Sequence, residues 1–149
     1  MAGAPFDVTE ELRRLCRLAV FADGRLAREL PTLRVRRAAR RPRSRLGFAV
    51  PDQWRLSVTV YPSIRRADFE ETLLHELVHL HVGIEPGRRR WHGPRFKDTM
   101  RQAMAEAYGV HGIDPPSACH GAYAEALTRL RAEQAARGRG DQLQLPIAA

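Results

Sequence analysis

His75-Glu76-Leu77-Val78-His79 is the stretch from which the rest of the chain can be read. On an α-helix, residues four apart are neighbours on one face, so His75 and His79 can point two imidazoles at one metal ion. Glu76 lies about 100° round the helix from His75, within reach of a water held at that metal. The helix is expected to start near Asp68, with Glu71 three residues on as an Asp version of the capping box. It should run to Val82, with Gly83 suited to the position just past the end. Phe69, Leu73, Leu74, Leu77, Val78 and Leu80 flank the histidine face on both sides, so the helix is expected to be mostly buried. Buried imidazoles need partners, and a metal ion supplies one partner for both. His81 falls roughly 200° round the helix from His79; it cannot share that ion and reads as structural or exposed.

Two histidines and a carboxylate at this spacing are the zincin arrangement, with Glu76 as general base. A catalytic zinc takes three protein ligands and leaves the fourth position to water. Glu85, His92, Glu106, His111 and His120 are the candidates for the third. Glu85 sits six residues after His79, the metzincin offset, but the glycine that pattern needs at position 82 stands at 83. Glu106 shares a helix face with Arg95, Thr99 and Gln102, which reads as solvated. His92 stands in Trp91-His92-Gly93-Pro94-Arg95-Phe96, where a loop meets a new helix, and a ligand there can fold back over the first two.

His75-Glu76-Leu77-Val78-His79 followed by His92-Gly93-Pro94-Arg95-Phe96 resembles the SprT-like/Spartan group of zinc metalloproteases. The resemblance spans roughly residues 8–110 and includes Arg45-Leu46-Gly47 and the strand-like run from Leu56 to Val60. It implies that His92 is the third zinc ligand and that the substrates are proteins bound or crosslinked to DNA; one three-ligand site predicts one Zn²⁺ per chain. Many members carry a four-cysteine zinc ribbon; this sequence has only Cys16 and Cys119, which cannot build one.

At 149 residues the chain is long enough for one cored domain. No stretch approaches the roughly 18 apolar residues of a membrane span, and Met1 to Glu11 lacks a basic-then-apolar signal. These features lead to an expectation of a cytoplasmic protein with no membrane partner, whose two cysteines are free thiols. The formal charge is +8, which favours acidic partners, nucleic acid first among them. Lys97 is the one lysine and every other basic residue is arginine.

The expected fold class is α+β, a minimal zincin-like domain. Asp7 or Thr9 caps an N-terminal helix over about 9–22, with Leu12, Leu15, Ala19 and Ala22 at the helical period. A short helical piece then reaches Leu30. Three strands follow: one around Leu33 and Val35, one over Leu46 to Val50, and one in which Trp54, Leu56, Val58 and Val60 alternate with more polar residues. Their short connections predict a three-stranded antiparallel meander laid over the buried histidine helix. An open edge of that sheet could pair with an extended peptide substrate. Pro94 starts the next helix, with an apolar stripe through Phe96, Met100, Ala103, Met104 and Ala107 and Gly109 at its end. A last helix covers about 122–136. The domain is expected over residues 1–136 and a flexible tail over 137–149, broken by Gly138 and Gly140.

The functional expectation is a zinc metalloendopeptidase, with Arg95, Tyr108, His111 and Tyr123 as candidate donors to the oxyanion. The rival is a DNA-binding or adaptor domain with a structural zinc, for which a fourth protein ligand would be required. Arg88, Arg89 and Arg90 beside Trp91 form a candidate nucleic-acid contact. Gln142, Leu143, Leu145, Pro146 and Ile147 resemble the short peptides that dock on the bacterial sliding clamp, which makes the clamp a candidate partner.

Overall fold

A computed structural model describes residues 6–83, 92–113 and 121–144. Asp7 opens the first helix, α1 (Val8–Cys16), its carboxylate accepting from the N–H groups of Thr9 and Glu10. The helix stops at Cys16 rather than reaching residue 22. The chain goes on as two short 3₁₀ turns, Ala19–Phe21 and Arg25–Ala27. Glu106 fixes the first of these by accepting from Ala19 N–H at 2.6 Å and Val20 N–H at 3.2 Å.

Three strands follow, β1 (Thr32–Arg37), β2 (Gly47–Val50) and β3 (Arg55–Val60). The α+β class is as expected, but the antiparallel meander is not. The sheet order is β1-β3-β2, with β1 parallel and β2 antiparallel to β3. The physical reason lies in burial. Leu56, Ser57 and Val58 of β3 are all within 1 % of full burial, so β3 takes the centre, where both edges are paired. Strand β1 alternates apolar residues with arginines and goes to an edge, as charged strands do. Trp54 makes the tight β2–β3 turn in the left-handed region (φ 48°), held by its indole N–H donating to Glu29 O and by Arg25 over its ring.

Helix α2 (Arg66–Val82) crosses one face of the sheet. It starts two residues earlier than the sequence suggests. Asp68 is its third residue, not its cap, and accepts from Arg65 N–H and from the Arg65 guanidinium. Of its residues only Arg66, His75 and His81 escape burial, as expected of a helix apolar on nearly all sides. Glu71 has a different task from the one expected. Its carboxylate accepts from the N–H groups of Gly121, Tyr123 and Ala124, capping α4 (Ala122–Gln144) from another element. The buried Glu70 pairs in bidentate fashion with Arg131 at 2.6 and 2.8 Å, so two adjacent carboxylates of α2 dock α4. That helix runs through Gly138 and Gly140 to Gln144, past the expected end at Ala136. Helix α3 (Pro94–Tyr108) ends at Gly109 in the left-handed region, as read from the sequence. No helix among the described residues is long and apolar enough to cross a membrane.

Candidate metal centre

Helix α2 delivers His75 and His79 to one face, and the turn before α3 delivers His92. The three Nε2 atoms stand 3.1 Å apart in every pairing. Each such nitrogen carries either one hydrogen or one lone pair, so a triangle of three cannot satisfy itself, whereas one central cation satisfies all of them. Four tetrahedral nitrogens about 2.0–2.1 Å from a zinc would be about 3.3 Å apart, close to the observed spacing. The residues therefore fit a metal ion. Among the described residues the group holds these three and no fourth His, Cys, Asp or Glu.

Phe96 forms the floor. Its ring centroid lies 4.8 Å from that of His75, 4.4 Å from that of His79 and 4.9 Å from that of His92. The apolar stripe of α3 thus serves the site as well as the core: Phe96 is buried with Met100, Ala103 and Met104 and holds all three rings in place.

Glu76 is 4 % exposed. Burial pushes its carboxyl up to about 8, against the opposing pull of the Arg45 charge. Such a group sits near the pH at which it can both take and return a proton. It lines a cavity of about 340 Å³ together with the three histidines on one side and residues 44–49 on the other. Gly47 lets the two sides meet. A Cβ there would stand 2.7 Å from Ser57 O and 3.1 Å from Glu76 Cγ, so only glycine allows β2 to pass so close to α2. The cavity wall also answers which edge lies beside the site: it is β2.

The other candidate residues scatter. Glu106 caps the 3₁₀ turn at Ala19. His111 is exposed. Tyr108 donates to Glu11 at 3.0 Å and Tyr123 is buried in the core at the start of α4, and neither lines the cavity. Arg95 is exposed and is not part of the cavity wall. The cation that does line it is Arg45, which sequence reasoning left out as a donor although it precedes the strand that borders the site. His81 turns away and packs against Phe21 and Gly24, with Asp23 at 3.8 Å. Glu85, Arg88, Arg89, Arg90, Trp91, Cys119 and His120 lie outside the described residues, as do Leu145, Pro146 and Ile147; Gln142 and Leu143 fall within α4.

Comparison with known families decides what kind of chain carries this arrangement. The SprT-like family matches residues 10–120, which covers the sheet, both histidine-bearing segments and α3. The chain belongs to the SprT-like family. No curated protein and no solved structure matches it. The matched span takes in both Glu76 and Arg45, so this SprT-like chain holds its three histidines, its carboxylate and its cation within the family's own boundaries.

Proposed function

We propose that this SprT-like protein is a zinc-dependent endopeptidase. The observation that carries the reading is the triangle of His75, His79 and His92 at the foot of a cavity that also contains buried Glu76 and is walled by an edge strand. Zinc held there would act as a Lewis acid and lower the pKa of water to about 7. The chain's own residues do the rest. Glu76 takes the proton of the attacking water and passes it to the leaving amine nitrogen. Among the described residues strand β2 pairs with β3 on one side only; its other edge offers N–H and C=O groups to an extended peptide, which would bind as a further strand and bring its scissile carbonyl over the histidines. Arg45 faces the oxygen that becomes negative as the carbonyl is attacked. Proteins bound to DNA are the proposed substrates.

The test is hydrolysis of an unfolded protein by zinc-loaded chain beside Glu76→Gln. The substitution should retain zinc and lower kcat by at least about 10²-fold, the usual worth of a positioned acid–base group. Equal turnover by both would remove Glu76 from the chemistry. No turnover by the parent chain, together with a fourth protein ligand on its zinc, would make the metal structural.

A further inference from the structure

The side chains that the sheet turns towards α2 shrink on approaching the cavity. A Cβ on Gly47 would stand 3.0 Å from Thr72 Cγ2 and 3.1 Å from Glu76 Cγ, so position 47 faces α2. Side chains alternate along a strand, so position 49 faces the same way and Phe48 the other. The register carries that face across the sheet: Val35, Val58 and Gly47 form one row, and Leu33, Leu56 and Ala49 the next. Each row has Val or Leu on β1 and β3 and its smallest residue on β2, beside the cavity. Close packing accounts for Gly47, whose Cβ would collide with Ser57 O. It does not account for Ala49, which is only half-buried and lines the cavity. Strand formation does not account for it either, since Ala is a poor strand former.

We propose that Ala49 is a specificity-determining residue: the room beside its methyl group admits a bulky, uncharged side chain of a peptide bound along β2. The proposal rests on the peptidase reading. On paired strands, directly opposed residues point to the same face, with Cβ atoms about 4.5–5.5 Å apart. A peptide added to the edge of β2 that is unpaired among the described residues would therefore turn the residues opposite Gly47 and Ala49 into the cavity and the one between them away. Gly47 adjoins Glu76, so the residue opposite Gly47 lies at the reacting bond. The residue opposite Ala49 lies two places along, about 6.6 Å away, and its side chain enters the space that Val or Leu at position 49 would fill. The cavity, at about 340 Å³, is of a size that takes up organic groups. Arg45 and Glu76 both line it, so a charged side chain of either sign meets a like charge there. A bulky apolar side chain meets no such opposition and gains by leaving water.

The experiment uses short peptides carrying a hydroxamate at one end or the other, a metal-chelating group that fixes their register. Leu, Ala or Lys is placed in turn at each residue near the hydroxamate. Binding to zinc-loaded, full-length Glu76→Gln chain is measured by calorimetry, and cleavage of an unfolded protein by the parent chain is mapped by mass spectrometry. At one position Leu should bind tighter than Ala or Lys by roughly 10-fold or more, the lower end of what an apolar group in a pocket is worth. The parent's cleavage sites should carry bulky apolar residues at the same distance from the cut bond. Ala49→Val and Ala49→Leu, each in the Glu76→Gln background, should weaken the preference stepwise and at that position alone, with Ala49→Leu favouring Ala over Leu. The smaller Ala49→Val change keeps the comparison if Ala49→Leu does not fold. Equal binding of Leu and Ala at every position, Lys bound as tightly as Leu, or a preference that both variants leave in place would overturn the proposal. Selective binding with no cleavage by the parent would contradict the peptidase reading and leave the subsite standing; cleavage with no selectivity would do the reverse.

Discussion

Glu76 and Gly47 meet where α2 lies against β2, a Cβ on Gly47 standing 3.1 Å from Glu76 Cγ. The carboxylate's chemistry depends on that approach, because burial is what raises its pKa to about 8. Gly47→Ala places a methyl 2.7 Å from Ser57 O, a backbone atom that cannot step aside. Overpacking of this kind costs about 1–3 kcal/mol, and the displaced β2 would open the wall beside Glu76. Denaturant unfolding should show that loss, and peptide hydrolysis should show a lower kcat with zinc content unchanged. Unaltered stability and turnover would mean that β2 moves freely and does not position the carboxylate. At this scale the sequence was informative where spacing within one helix sufficed: four residues separate His75 from His79, and helical geometry does the rest. It was uninformative for Arg45 and Gly47, whose roles exist only once β2 lies against α2. The run of arginines ahead of a glycine and three apolar residues was the available sign.

Among the elements, capping and strand order show how far local pattern reaches. Asp7, Pro94 and Gly109 do at their helix ends what their residue types suggest. Asp68 is not the cap of α2 but its third residue, and serves the helix start by accepting from Arg65 N–H. Burial works against the Asp68 carboxylate, yet its hydrogen bonds from the Arg65 guanidinium and backbone outweigh that and hold it below the usual range. Because the folded pKa is the lower one, the stability it lends is fully present above the unfolded value of about 3.9 and is lost as pH falls through the folded value. Asp68→Asn should therefore destabilise the protein at pH 7 and approach parity with the parent near pH 2. Chemical denaturation at the two pH values measures this; an equal deficit at both would exclude the carboxylate's charge as the cause. The sheet order was hidden because β1 and β3 both alternate apolar and polar residues while β2 is a short apolar run, and neither pattern says which strand is paired on both edges. Likewise Glu71 looks like a local capping residue in sequence, while its three partners lie 50 to 53 residues away. Gly138 and Gly140 read as breakers from propensity alone, a weak guide in a helix that carries on through them.

The whole molecule brings together two segments, residues 75–79 and 92–96, that are useless apart. Helix α2 supplies two imidazoles and the carboxylate, the turn before α3 supplies the third imidazole and α3 the phenyl floor, and α4 is fastened to α2 by Glu70 and Glu71. His92 and His81 are the informative pair, since both are histidines close to the site but only one turns towards it. The zinc content of purified parent, His92→Ala and His81→Ala chains, determined by elemental analysis after dialysis, tests the centre directly. The arrangement of three ligands around one ion predicts about one zinc per parent chain, near-complete retention in His81→Ala and loss of most of the metal in His92→Ala. Equal zinc in the two variants would contradict a metal centre built from His75, His79 and His92.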